Sequence, residues 1–246
     1  MPLSVRRVLR TFRYAMYFNG VNNYVSIPDS SSLNPTNSIT LIAWINQGYV
    51  GYHYEIPLSK RFQYFIGGRH KIDGRATFGL FFSDGSSYYL RSSSVLPSDW
   101  LNKWHFIAGV YDGSVMKLYI DGALDNSYSI SKQIATTTNS AYVGTWGTTD
   151  FFNGYISQGL IYSRALSDSE IRWNYQYPDN PVRSGLVLWL QAHPDYVKDI
   201  DGDGVLEWVD LSGCGNHGKI YGAQLVELVK TPARVLKPAR VLKAVR

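Results

Sequence analysis

The stretch from Trp104 to Gly122, WHFIAGVYDGSVMKLYIDG, limits what this chain can fold into more than any other. Phe106, Ala108 and Val110 alternate with Ile107, Gly109 and Tyr111, and Met116, Leu118 and Ile120 alternate on the return. Period-two alternation on both sides of Asp112-Gly113 is the pattern of a β-hairpin, with the Asp-Gly pair supplying positive φ angles at the turn. A second turn follows at Asp121-Gly122. The spacing predicts an antiparallel sheet with this hairpin at its centre and one buried face. Nothing in the stretch carries chemistry; it is scaffold.

The rest of the chain reads the same way. With 246 residues, 45% hydrophobic and 17% charged, there is enough apolar side chain for a full core. Strand patterns are expected at Tyr14 to Ile27, Ser38 to Ile45, Ala76 to Ser83, Ser87 to Ser94, Ser140 to Trp146 and Tyr155 to Tyr162. The one clear helix start is Ser167-Asp-Ser-Glu170, a capping box, and that helix should end before Pro178. The single Cys214 excludes an intrachain disulfide and reads as a small buried residue.

Three segments in order, FNGVNNYVSIPDSSSLNPTNSITLIAWI, the central hairpin and FFNGYISQGLIYSRALSDSEI, resemble the LamG-like jelly-roll modules of the concanavalin A-like lectin/glucanase superfamily. The resemblance covers about residues 14 to 177. It implies an all-β fold, an antiparallel β-sandwich (concanavalin A-like/LamG jelly roll), to which the capping box adds one short helix and the Arg- and Lys-rich ends add extended basic termini. The organisation is then a basic N-terminal arm (1-13), the jelly roll (14-177), a Pro-rich joint (178-184), a displaced segment (185-228) and a basic repeat tail (229-246). The displaced segment, GLVLWLQAHPDYVKDIDGDGVLEWVDLSGCGNHGKIYGA, is similar to strands that lead the family's modules but here come last. It completes the sandwich either in cis, as in a circular permutation, or in a neighbour's sheet in trans.

Charge is unevenly placed. Arg6, Arg7, Arg10 and Arg13 at one end and Lys230, Arg234, Lys237, Arg240, Lys243 and Arg246 at the other account for ten of the 24 basic residues, so 14 remain against all 19 acids. Val5, Val8, Leu9 and Phe12 fit a short basic amphipathic helix, a strand or a solvated arm equally well. In the tail, Pro232-Ala-Arg-Val-Leu-Lys repeats from Pro238, which precludes a regular helix and leaves an extended arm that lines an edge, grips a partner or is a solvated linker. Phe12 is the arms' one aromatic, which argues against nucleic-acid binding through base stacking. No apolar run approaches a membrane span, and no secretory signal is recognisable in this numbering.

The sharpest local motif runs from Asp199 to Asp210. Asp199, Asp201 and Asp203 at loop positions one, three and five, Gly204 at six, the Val205 carbonyl at seven, Glu207 at nine and Asp210 at twelve match a twelve-residue calcium loop. Asp210 stands where such loops usually close with Glu. Calcium is the expected cofactor. The resemblance implies another calcium site near Asn19 and Ser157-Gln158, where neutral side chains replace the family's acids, so its attraction for a dication should be largely gone.

For glycan recognition, aromatic faces and polar neighbours fall in the loop with Tyr49, Tyr52, His53 and Tyr54, at Arg69-His70 and between Trp146 and Asp150. Trp44, Trp104 and Trp189 lie within strand patterns and are expected in the core. The four Glu, at 55, 170, 207 and 227, do not form the clustered Glu-x-Asp-x-Glu strand of the family's glucanases, and the five His show no metal-ligand spacing. The reading is a non-catalytic adhesion or recognition module for a glycan or glycoprotein, at a cell surface, outside the cell or on a virion. The alternative is a structural subunit of a virion or surface filament, a homo-oligomer held by residues 185-228 and the basic tails.

Overall fold

The computed structural model describes residues 12–49 and 55–228. In chain order its strands begin with β1 (Tyr14–Asn19), β2 (Tyr24–Ile27), β3 (Ile39–Gln47), β4 (Leu58–Lys60), β5 (Tyr64–Gly67), β6 (Thr77–Phe81) and β7 (Ser87–Arg91). Then follow β8 (Trp104–Tyr111), β9 (Val115–Ile120), β10 (Ala123–Ser129), β11 (Ala141–Val143), β12 (Asn153–Tyr162) and the helix α1 (Asp168–Gln176). The last strands are β13 (Leu186–Gln191), β14 (Val197–Lys198), β15 (Glu207–Trp208), β16 (Gly218–Tyr221) and β17 (Gln224–Glu227).

These form two antiparallel sheets face to face. The first runs β10-β9-β8-β3-β12-β1-β17, with β13 beside the far half of β12; the second runs β14-β15-β16-β2-β11-β4-β5-β6-β7. The residues that alternate inward, among them Phe18, Leu41, Ile66, Phe78, Ile107 and Trp208, make the core between them. Gly109 on β8 makes this contact close, because a Cβ there would lie 2.4 Å from the Phe78 ring of the opposite sheet.

The hairpin is present, with Ile107 opposite Ile120 and Tyr111 opposite Met116. Asp121 and Gly122 both have positive φ (50° and 77°), the signature of a type I′ turn, whereas at the first turn only Gly113 does (95°) and Asp112 instead accepts three hydrogen bonds from Ser114 and Val115. Two further features differ from the sequence expectation. The hairpin lies toward one edge, with β3 in the middle, and it is buried on both faces. The outer face of the first sheet carries its own apolar cluster, Ile42, Trp44, Phe106, Tyr119, Leu160 and Trp189 beneath Ile171 of α1. Alternation between two apolar faces looks the same in sequence whether one or both are covered.

Helix α1 starts as predicted: Ser167 accepts from the Glu170 amide, and the Glu170 carboxylate accepts from the Ser167 amide at 2.9 Å. Trp44 and Trp189 are buried and Trp104 half-buried. Cys214, expected inside, is exposed, on a turn between Gly213 and Gly215, both with positive φ. The turn chemistry of that segment outweighs the residue type.

The displaced segment enters both sheets of its own chain. Leu190 pairs with Gly159, Ile220 with Val25, and Leu225 with Met16. The arms' expected conformations fall on residues 1–11 and 229–246, outside the described residues. Phe12 is described, and its ring packs edge-on against Trp44 (5.2 Å) and Trp104 (4.7 Å). Among the described residues no helix is long and apolar enough to cross a membrane.

Candidate functional site

With Tyr64, Ile66, Phe78, Leu80 and Leu90 turned into the core, the alternate positions of β5, β6 and β7 face outward. Phe65, Gly79 and Tyr89 stand in one row across these strands. Gly79 is needed there: a Cβ would lie 2.0 Å from the Phe65 ring, so only glycine lets that ring lie flat on the sheet. Two residues on, Phe81 stacks against Trp146 from the loop after β11, at 5.6 Å and 27°, and Phe65 meets the same indole edge-on at 5.3 Å. The loop is fixed by Thr145, whose hydroxyl donates to the Thr149 carbonyl (2.6 Å) and whose carbonyl accepts from the Ser59 hydroxyl (2.7 Å).

Phe62 forms the remaining wall, its ring perpendicular to Phe81 (89°) and Trp146 (85°). It sits in the tight turn between β4 and β5 with φ 60°, and it is 49% exposed. A left-handed conformation costs an L-residue with a Cβ roughly 1–2 kcal/mol. The turn is held all the same. The Gln63 amide donates to the Lys60 carbonyl (3.0 Å), and the Arg61 carbonyl accepts from Asn139 (3.2 Å). The buried Lys60 ammonium bonds Asp29 and the carbonyls of Thr137 (3.1 Å) and Asn139 (2.9 Å). The Arg61 guanidinium lies over the Phe62 ring at 4.9 Å.

Together these rings line an open hollow of about 240 Å³, with Ile56 and Asp150 also on its lining. Asp150 also has positive φ (55°), which Asp tolerates, and its carboxylate accepts from the Thr149 hydroxyl at 2.9 Å.

Of the residues expected to meet a ligand, Trp146 and Asp150 are at the hollow. Arg69 and His70 are not: the Arg69 amide donates to Gln47 Oε1 (2.8 Å), its Nε to the Leu96 carbonyl (3.3 Å), and the mostly buried His70 pairs with Asp73 (3.2 Å). These contacts brace the turn after β5. Tyr49 is exposed away from the hollow, and Tyr52, His53 and Tyr54 fall outside the described residues. Phe62, Phe65, Phe81 and Tyr89 had not stood out in the sequence. Their signal is aromatics on both alternating faces of neighbouring strands, where an exposed outer face would be polar.

The Asp199 loop joins β14 to β15. Oxygens of Asp199, Asp201 and Asp203 lie within 4.8 Å of one another, a donor set of hard oxygens that suits calcium. Each also shapes the loop: Asp199 accepts from the amides of Gly202 (2.7 Å) and Gly204 (2.9 Å), and Asp203 from that of Val205 (2.8 Å). Glu207 reaches the same loop, accepting from the Ile200 amide at 3.2 Å. Asp210 does not join them. Its oxygens accept from the amides of Trp189, Ser212 and Asn216 and from the Ser212 hydroxyl, all within 2.9 Å, which ties β13 to the turn before β16. Lys219 on β16 directs its ammonium to Asp203 and to Asp201 (3.0 Å), which raises the lysine's pKa and lowers that of Asp203. At the other expected calcium position, the Asn19 amide oxygen accepts from the amides of Val21, Asn22 and Asn23, and Ser157 and Gln158 are buried in backbone contacts to Tyr14 and Pro178.

The architecture is that of a jelly-roll sandwich, and the chain belongs to the concanavalin A-like lectin/glucanases superfamily, whose laminin G-type family model matches residues 19–172. No curated protein matches the sequence. Among solved structures, a protein from Bacteroides ovatus described as carbohydrate-binding superposes with a TM-score of 0.67 at 18% identity, over 89% of this chain and 61% of its own. This chain thus spans about three fifths of that protein's length. The binding domain of botulinum neurotoxin serotype G gives 0.54 at 15% identity, over 80% of this chain and 53% of its own. Domain 4 of an extracellular arabinanase from Geobacillus stearothermophilus, in complex with arabinotriose, gives 0.52 at 22%, over 64% and 74%.

Proposed function

We propose that this chain is a non-catalytic glycan-binding module that works at a surface or outside the cell, and that the aromatic hollow is its sugar seat. The observation that carries the reading is Phe62. A bulky side chain held in a left-handed turn with half its surface in water is unfavourable twice over and adds nothing to the core. Such strain is understandable where the ring must be presented to a ligand. Sugars offer apolar C–H faces that stack on aromatic rings and hydroxyls that bond carboxylates, and the hollow supplies both. Among the described residues the hollow's lining has a single carboxylate, whereas glycoside hydrolysis needs two about 5–9.5 Å apart. The named binding roles of the Bacteroides and arabinanase-domain structures point the same way.

Calcium in the Asp199 loop is the second part of the proposal. Asp199, Asp201, Asp203 and Glu207 would hold it, and it would fix the connection between β14 and β15; Asp210 takes no part.

The test is Phe62→Gly on a glycan array beside a thermal melt. Glycine relieves the left-handed strain, so the melting temperature should stay level or rise by up to about 2–4 °C while glycan binding falls at least about tenfold. Unchanged binding would remove the hollow from the function, and a melting temperature lowered by a similar amount would make Phe62 a structural residue.

A further inference from the structure

A second group of rings lies on the same sheet face as the hollow. The loop between β11 and β12 reaches both groups: Trp146 near its start lines the hollow, and Phe151 near its end lies 6.5 Å from the ring of Tyr24 on β2. Tyr24 stacks on Tyr221 of β16, at 4.8 Å and 17°, and meets Tyr142 of β11 edge-on at 6.2 Å. Strand alternation fixes which way these rings face. Val25, Ala141 and Val143 point into the core, so Tyr24 and Tyr142 point outward. Tyr142 stands opposite Ser59, and Ser59 opposite Phe65, whose ring lines the hollow. From Phe65 on β5 to Tyr221 on β16 is four strand spacings, or about 19 Å.

The first sheet also carries aromatics on its outer face, and the one α-helix among the described residues lies over them. The tyrosines of the second sheet stay in water instead: Tyr221 is 41% exposed, and Tyr24, Tyr142 and Phe151 are half-buried. A stacked pair with a hydroxyl on each ring suits a sugar, whose C–H face lies on the rings and whose hydroxyls meet theirs. A sugar there and a sugar in the hollow are too far apart to be neighbours in a chain. One ligand that fills both must therefore be several rings long and lie across the strands, and it gains affinity because binding at one seat concentrates it at the other. We propose that Tyr24, Tyr221 and Phe151 form a second seat, and that the module takes an extended oligosaccharide spanning both. The second seat rests on the reading of the hollow as the first.

Calorimetric titration of the full chain with gluco-, xylo-, manno- and arabino-oligosaccharides of two to six residues tests it. In at least one series the hexasaccharide should bind about tenfold or more tighter than the disaccharide. Tyr221→Ala removes an exposed ring at the end of β16, so the melting temperature should hold within about 2 °C. The gain with chain length should vanish in this variant while the disaccharide affinity stays at the wild-type value. Tyr221→Phe keeps the stack and should keep the gain. A hexasaccharide no tighter than its disaccharide in every series, or a gain that Tyr221→Ala leaves intact, would overturn the second seat. So would a gain lost together with thermal stability, or a dimer in light scattering that Tyr221→Ala dissolves. If glycans on the array still bind and Phe62→Gly abolishes that binding, the hollow keeps its role and only the second seat falls. If no glycan binds, both fall.

Discussion

Lys219 holds two of the three carboxylates of the Asp199 loop from a neighbouring strand, and its side chain remains partly exposed, free to swing outward. A calcium ion entering the loop must displace this ammonium, so the lysine acts as an internal competitor for the same oxygens. Lys219→Met keeps the chain length and removes the charge. Its calcium affinity, read by calorimetry, should exceed that of the wild type by about tenfold, since the ion would no longer compete with a cation hydrogen-bonded to the same carboxylates. A variant that binds no calcium would end the proposal for this loop. The aspartates were visible in the sequence because their spacing is local. Lys219 and the diversion of Asp210 were not, because both depend on which strands lie side by side. The same holds at the hollow, where Trp146 and Asp150 lie on a loop and could be suspected, while Phe65 and Tyr89 lie in strands and looked like core.

Helix α1 shows how a local motif acquires a wider role. Glu170 closes the capping box and also receives the Arg164 guanidinium at 2.6 Å and 3.0 Å, which with the Ser167 bonds depresses its pKa to about 2. The capping box was legible because its partners are three residues apart. The arginine, which fastens the helix to the end of β12, was not. A carboxylate whose folded pKa lies below its unfolded value of 4.5 stabilises the fold fully above that value and loses its contribution as pH falls toward about 2. Thermal melts between about pH 5 and pH 2 should therefore show a downward slope that is shallower in Glu170→Gln, the variant itself being less stable at pH 7. Identical slopes would show that the acid sensitivity lies elsewhere. The hairpin of β8 and β9 was equally legible as an element, yet its place near the edge and its two-sided burial depend on β3, β12 and α1, which are remote in sequence.

At the scale of the molecule, the segment after the Pro-rich joint supplies β13 and β17 to one sheet, β14 to β16 to the other, and the wholly buried Trp208 to the core. A chain ending at Ser184 would leave β12 and β2 with bare edges and the core open, so it should lack near-ultraviolet dichroism and cooperative melting; a well-folded fragment would show that residues 14–177 are self-sufficient. The need for such a segment could be read from the sequence, since forty residues cannot make a core alone. Its destination could not, because pairing in cis and in trans bury the same side chains.

The β1 and β17 pairing also has a mechanical consequence. Tyr14 lies opposite Glu227, the Leu228 amide donates to the Arg13 carbonyl at 2.8 Å, and Arg13 pairs with Glu227, so the first and last described strands meet at the same end of an antiparallel pair. A force drawing residue 12 away from residue 228 would load the sheet like a zipper, straining one rung at a time and peeling off β17, an edge strand of four residues, before any other. The sandwich would yield at low tension from that corner, while the strands that carry the aromatic hollow, in the opposite sheet, would bear the load last.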